Sequence, residues 1–88
     1  PVGYWHGYPR ALSSIGHAII KKQKAKILGR ISMDMIILDV SKVKKVKAGD
    51  EVILLGEKIS AEELGDLAGS FNYEMVTRLN PLIRRIYI

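Results

Sequence analysis

The sequence predicts a mostly β fold: a small β-barrel with one short helix around residues 60–68. Three observations carry that prediction. From His17 onward, short apolar runs with strand character alternate with turn residues. Only one stretch, "SAEELGDLAG", carries helix signals. No linker, internal repeat or low-complexity segment divides the 88 residues, so a single domain over 1–88 is expected.

The opening segment, Gly3 to Arg10, is punctuated by Gly3, Gly7 and Pro9 and reads as a loop or tight turn. "HAII" and "AKILGRI" flank the polar "KKQK", the pattern of a hairpin with a lysine-rich tip. "MIILDV" is apolar at nearly every position, as in a strand covered on both faces. "VKAGDEVILLG" predicts a turn at Ala48–Asp50 and then a strand ending at Gly56. In the helix, Ser60 and Glu63 form an S-x-x-E capping box, each side chain satisfying a free amide at the helix start. Ile59 and Leu64 stand at the positions of a hydrophobic staple. Leu64, Leu67 and Ala68 make one apolar face, and Gly69 is the stop. "YEMVTRL", broken by Asn80-Pro81, and "LIRRIYI" complete a set of five or six short strands.

Composition excludes several classes. A chain this short buries only about 60–65% of the surface its unfolded form exposes, so the core is thin. With no cysteine there is no disulfide and no thiolate–zinc site to supplement it, which fits a reducing compartment. No apolar run reaches the roughly 18–20 residues of a membrane span, and no signal peptide is visible. Cytoplasmic localisation without membrane association is therefore expected. The chain enters "PVGYW" from Pro1, which reads as a segment of something longer. The net charge of +5 concentrates in "KKQKAK" (21–26) and "KVKKVK" (42–47). Two readings stand for these runs: solvated turns, or contacts to an acidic partner such as RNA. The second makes the chain a basic barrel-type interaction module, but no aromatic residue interleaves the lysines for base stacking.

Familiar catalytic constellations are missing. His6 and His17, the only histidines, are eleven positions apart and lack carboxylates at ligand spacing, so no metal site is expected. Ser13 and Ser14 sit in no G-x-S-x-G elbow, and Gly3 and Gly7 make no phosphate loop. Two features remain. Arg30, Ser32, Met33 and Asp34 cluster just before an apolar run, as turn chemistry or as part of a site. Tyr4 lies between glycines and Tyr73 between Asn72 and Glu74. As core or rim residues they need no function; the other reading is a phenol donating to an anion.

In order, "VGYWHGYPRALS", "AKILGRISMDM", "VKAGDEVILLG", "ISAEELGDLAG", "NYEMVTRLNP" and "RRIYI" resemble the C-terminal domain of alanine racemases, over essentially the whole chain. Those enzymes use pyridoxal 5'-phosphate to interconvert L- and D-alanine for peptidoglycan synthesis. The resemblance implies a parent with an N-terminal (β/α)8 barrel holding the cofactor, and a head-to-tail homodimer in which each C-terminal domain leans over the partner's active site. It implies that Tyr73 reaches the cofactor phosphate and lines the inner gate. The backbone N–H of Met33 would meet the substrate carboxylate, with Tyr4 and Asp34 at the active-site entrance. A stiff strand over "MIILDV" would hold Met33 as a preorganised anion contact.

The chain departs from the family pattern at Trp5-His6, where Ala-Asp is usual, and at the hairpin tip, Lys22-Gln23 in place of Asn-Gly. The resemblance also implies that the domain is truncated at its N-terminal end. The cofactor lysine and the second catalytic base, a tyrosine, would lie outside this segment. Racemisation needs two bases and an electron sink. No catalytic residue is therefore expected within 1–88, and the isolated chain should hold no cofactor and be inactive. The same domain in a serine racemase or another amino-acid racemase is the neighbouring reading.

Overall fold

A computed structural model describes residues 1–56, 58–69 and 78–86. Two single-turn 3-10 helices, Tyr4–His6 and Arg10–Leu12, lead into four strands: β1 (His17–Ile20), β2 (Gln23–Leu28), β3 (Ile37–Leu38) and β4 (Val52–Ile53). Helix α1 (Ala61–Ala68) follows, the one α-helix among the described residues. The strands form one antiparallel sheet in the order β3-β2-β1-β4, curled into a half-barrel as the mostly β prediction requires.

The β1–β2 hairpin pairs His17 with Lys26 and Ile20 with Gln23, so the tip is Lys21-Lys22, one residue earlier than the sequence suggested. Both tip residues have positive φ, 49° and 65°. This is the turn whose twist matches that of the flanking strands, here made by two lysines instead of Asn-Gly.

Ala18, Ile19 and Ile20 are consecutive and all buried, because β1 lies between β2 and β4 with both faces covered. On one side Ile19 joins Tyr8, Leu12, Ile27, Ile31, Ile59 and Leu64 in the main core. On the other, Ile20 packs with Ala25 and Val43. Each such aliphatic side chain stabilises the fold by about 1.5–3 kcal/mol relative to exposure. The doubly covered strand is thus β1 and not "MIILDV". There only Ile37–Leu38 pairs, at the sheet edge, and Met35 and Ile37 are exposed.

Helix α1 starts where the capping signals place it. The Ser60 hydroxyl accepts the Glu63 amide at 3.0 Å, and Ile59 and Leu64 share the main core as the staple requires. The reciprocal half of the box does not form. The Glu63 carboxylate instead turns towards the sheet, 3.6 Å from His17 Nε2 and 3.8 Å from Lys24 Nζ. Leu64 and Gly65 are the buried helix positions, and Leu67 is exposed. Gly69, at φ 70°, closes the helix.

Further on, the predicted turn before β4 is present, but the strand ends at Ile53 and not at Gly56, which instead pairs with Ile59 in an isolated bridge after the chain bends. No strand occurs over 82–86, while most of "YEMVTRL" and the last two residues lie outside the described residues.

Candidate functional site

Three segments distant in the sequence converge at one end of the half-barrel: Gly3–Tyr8, Ser32–Met35 and Arg78–Asn80. Tyr4 N–H donates to Ser32 O at 3.1 Å, and Trp5 N–H to Met33 O at 3.0 Å. Gly3 lies flat against the same two residues, and a Cβ there would overlap the Ser32 and Met33 backbone. Gly7, at φ 104°, abuts the Arg78–Leu79 backbone just as closely. Asn80 completes the clasp: its amide donates to His6 O at 3.1 Å and its Nδ2 to Trp5 O at 2.8 Å.

The Ser32–Met35 segment is braced locally. Ser32 N–H and its hydroxyl both donate to Met35 O, at 3.1 and 2.8 Å, and Met35 N–H donates back to Ser32 Oγ at 3.1 Å. Ser13 supports the approach, its hydroxyl donating to Arg10 O at 2.6 Å and accepting the Ile31 amide at 2.9 Å. The stiffness beneath Met33 therefore comes from a turn and a backbone clasp, not from a strand running up to it.

The predicted residues fall as follows. Tyr4, Met33 and Asp34 are brought to this one end and all are exposed, Met33 to 52%. Among the described residues no acceptor takes the Met33 amide, while its carbonyl is held by Trp5. Tyr73 lies outside the described residues. An open cleft of about 530 Å³ runs beside the clasp, lined by Tyr4, Gly7, Tyr8, Pro9, Arg10 and Arg78.

Sequence reading missed Arg10, Arg78 and Asn80. Asn80-Pro81 registered only as a break, and an arginine among fourteen basic residues carries no signal of its own. Tyr8 is buried, its phenol without a partner among the described residues, and burial pushes its pKa up to about 12. No group of three or more potential metal ligands occurs among the described residues. Nor is any helix among them long and apolar enough to cross a membrane.

The lysine-rich tips have local partners. Lys21 Nζ donates to Lys45 O at 2.8 Å and lies 3.8 Å from Asp50. Among the described residues the shallow groove there is lined by Ile19, Lys21, Lys22, Asp50, Glu51 and Ile53, so acidic groups are interspersed and no described aromatic lines it.

Fold and site together define a small β domain with an open cleft at its surface. The family model described as "Alanine racemase, C-terminal domain" matches residues 1–87, and the chain belongs to that family. It is 48% identical over 93 residues to the alanine racemase of Clostridium tetani, covering all of this chain and 24% of that protein. To that of Halothermothrix orenii it is 44% identical over 91 residues, covering 99% and 24%. Among solved structures, the alanine racemase from Bartonella henselae with covalently bound pyridoxal phosphate superposes with a TM-score of 0.93 at 36% identity. That match covers 99% of this chain and 26% of that one. The chain thus spans about a quarter of the length of the relatives it matches.

Proposed function

We propose that this chain is the C-terminal domain of a cytoplasmic, dimeric alanine racemase that interconverts L- and D-alanine for peptidoglycan synthesis. In this reading it forms one wall of an active site whose other walls belong to the N-terminal barrel and the dimer partner. The carrying observation is the clasp. The Met33 carbonyl is tied to Trp5, and the Met33 amide, on an exposed residue, is left without an acceptor among the described residues. An amide fixed in this way binds a carboxylate with little further loss of entropy.

The donor set of the cleft suits an anion. Tyr4 offers a phenol, and Arg10 offers a guanidinium group whose planar fork matches carboxylate and phosphate. Pyridoxal phosphate, where bound, supplies the electron sink that stabilises negative charge at the substrate Cα. In the proposal Met33 N–H holds the substrate carboxylate, Tyr4 and Asp34 stand at the entrance, and Tyr73 donates to the cofactor phosphate and narrows the inner gate. The chain's part is to bind, orient and exclude water; proton removal and return fall to groups outside it.

The test uses the parent protein. Tyr73→Phe should weaken cofactor retention several-fold and Tyr73→Ala more, with alanine racemisation falling in the same order. Unchanged cofactor affinity and turnover in both variants would remove the phosphate role. Assaying L-serine beside L-alanine decides whether the domain serves another amino-acid racemase.

A further inference from the structure

We infer that His6 is a positioning residue: by accepting the Gly3 amide, its Nδ1 holds the turn whose backbone lies against Ser32 and Met33 beside the cleft. The inference rests on the function proposed above for that cleft.

The turn has little to hold it by itself. It is a single 3-10 turn of three residues, Tyr4–His6, and such short turns depend on their surroundings. Its internal bonds are His6 N–H to Gly3 O at 3.1 Å, Gly7 N–H to Tyr4 O at 3.0 Å and Tyr8 N–H to Gly3 O at 3.3 Å. Gly3 heads the turn, yet it has no side chain with which to cap it. The Gly3 amide donates instead to His6 Nδ1 at 3.0 Å. That bond ties the imidazole to the residue whose backbone lies flat on Ser32 and Met33. Asn80 grips the Trp5 and His6 carbonyls from the far side, and the Trp5 ring meets the imidazole edge-on at 4.9 Å. The ring is therefore fixed in place and cannot readily swing to offer another atom.

Acceptance at Nδ1 requires that this nitrogen carry no proton. His6 also borders an apolar pocket of about 150 Å³ walled by Val2, Leu54 and Leu55, Leu64 of α1, and Leu79 and Ile83. A side chain with no acceptor at this position deprives the Gly3 amide of the partner that heads the turn.

The experiment compares the full-length parent enzyme with its His6→Ala and His6→Asp variants at one neutral pH. It follows kcat/KM and the hydrogen exchange of residues 2–8. A carboxylate at position 6 can accept the Gly3 amide and is ionised at that pH. His6→Ala should exchange about tenfold faster than the native enzyme and lose about three- to tenfold in kcat/KM. His6→Asp should recover both relative to His6→Ala. The inference is overturned if His6→Ala matches the native enzyme in exchange, or if His6→Asp exchanges as fast as His6→Ala. Should His6→Ala fail to fold, His6→Asp decides alone: protection close to native supports the role, and exchange about tenfold faster overturns it. Exchange behaving as described in a protein with no racemase activity would sink the proposed function and leave the role of His6 in the turn standing.

Discussion

Gly3 rests directly on the carbonyl of Ser32, with no space between them for a methyl group. Its φ of −159° is accessible to any residue, so the demand on this position is steric. Gly3→Ala must push the Tyr4–His6 turn off the Ser32–Met33 backbone, and neither side can yield as a flexible side chain could. A loss of about 1–3 kcal/mol in stability is expected. Chemical denaturation of the parent protein measures it, and a loss below about 0.5 kcal/mol would mean that the two segments separate easily.

Tyr8 gives the chain an alkaline signature. Its pKa is pushed up to about 12 by burial, so the fold favours the neutral phenol. That contribution is complete below about pH 10 and is lost as pH rises towards 12, where the unfolded chain ionises first. The loss amounts to about 2–3 kcal/mol across the window. Tyr8→Phe should remove this part of the slope. At neutral pH it should leave stability unchanged or raise it by about 1 kcal/mol, since a buried hydroxyl without a partner among the described residues is deleted. Urea midpoints at pH 7 and 11 for both proteins test this.

The two ends of the capping signal should behave unequally. Ser60 accepts the Glu63 amide, so Ser60→Ala should cost about 1 kcal/mol. The Glu63 carboxylate makes only long contacts to His17 and Lys24, and it is itself partly exposed. Glu63→Gln should therefore cost less than about 0.5 kcal/mol at moderate salt. Equal losses in thermal unfolding would indicate a complete box.

At the hairpin tip, Lys22 is held at φ 65°, where a side chain is disfavoured. Lys22→Gly should stabilise the protein by about 0.5–1 kcal/mol. The same change at Lys21 should gain less, because it deletes the bond from Lys21 Nζ to Lys45 O. A thermal shift of the parent enzyme separates the two.

Legibility in the sequence followed the range of the interaction. The hairpin, the helix with its Ser60 cap and the Ile59–Leu64 staple could be read because propensity, turn chemistry and periodicity act over a few residues. "MIILDV" misled because an apolar run states only that something will cover it. In the described structure Ile37 stands exposed at a sheet edge, while the doubly covered run is Ala18–Ile20. The roles of Tyr4, Met33 and Asp34 came from family resemblance, and nothing local in the sequence places Tyr4 beside the Met33-Asp34 pair.

From its residues alone this chain could be known as a thin-cored β domain of the alanine racemase C-terminal type, with its helix capped and its main hairpin placed within a residue. Folding in three dimensions decided that Gly3–His6, Ser32–Met33 and Asn80 would close on one another beside a cleft. That meeting is made largely of amides and carbonyls, which every residue but proline possesses in full, so almost no side-chain code announces it. The exceptions are Gly3, chosen for the side chain it lacks, and His6 and Asn80, whose polar groups find backbone partners that only the folded chain brings within reach.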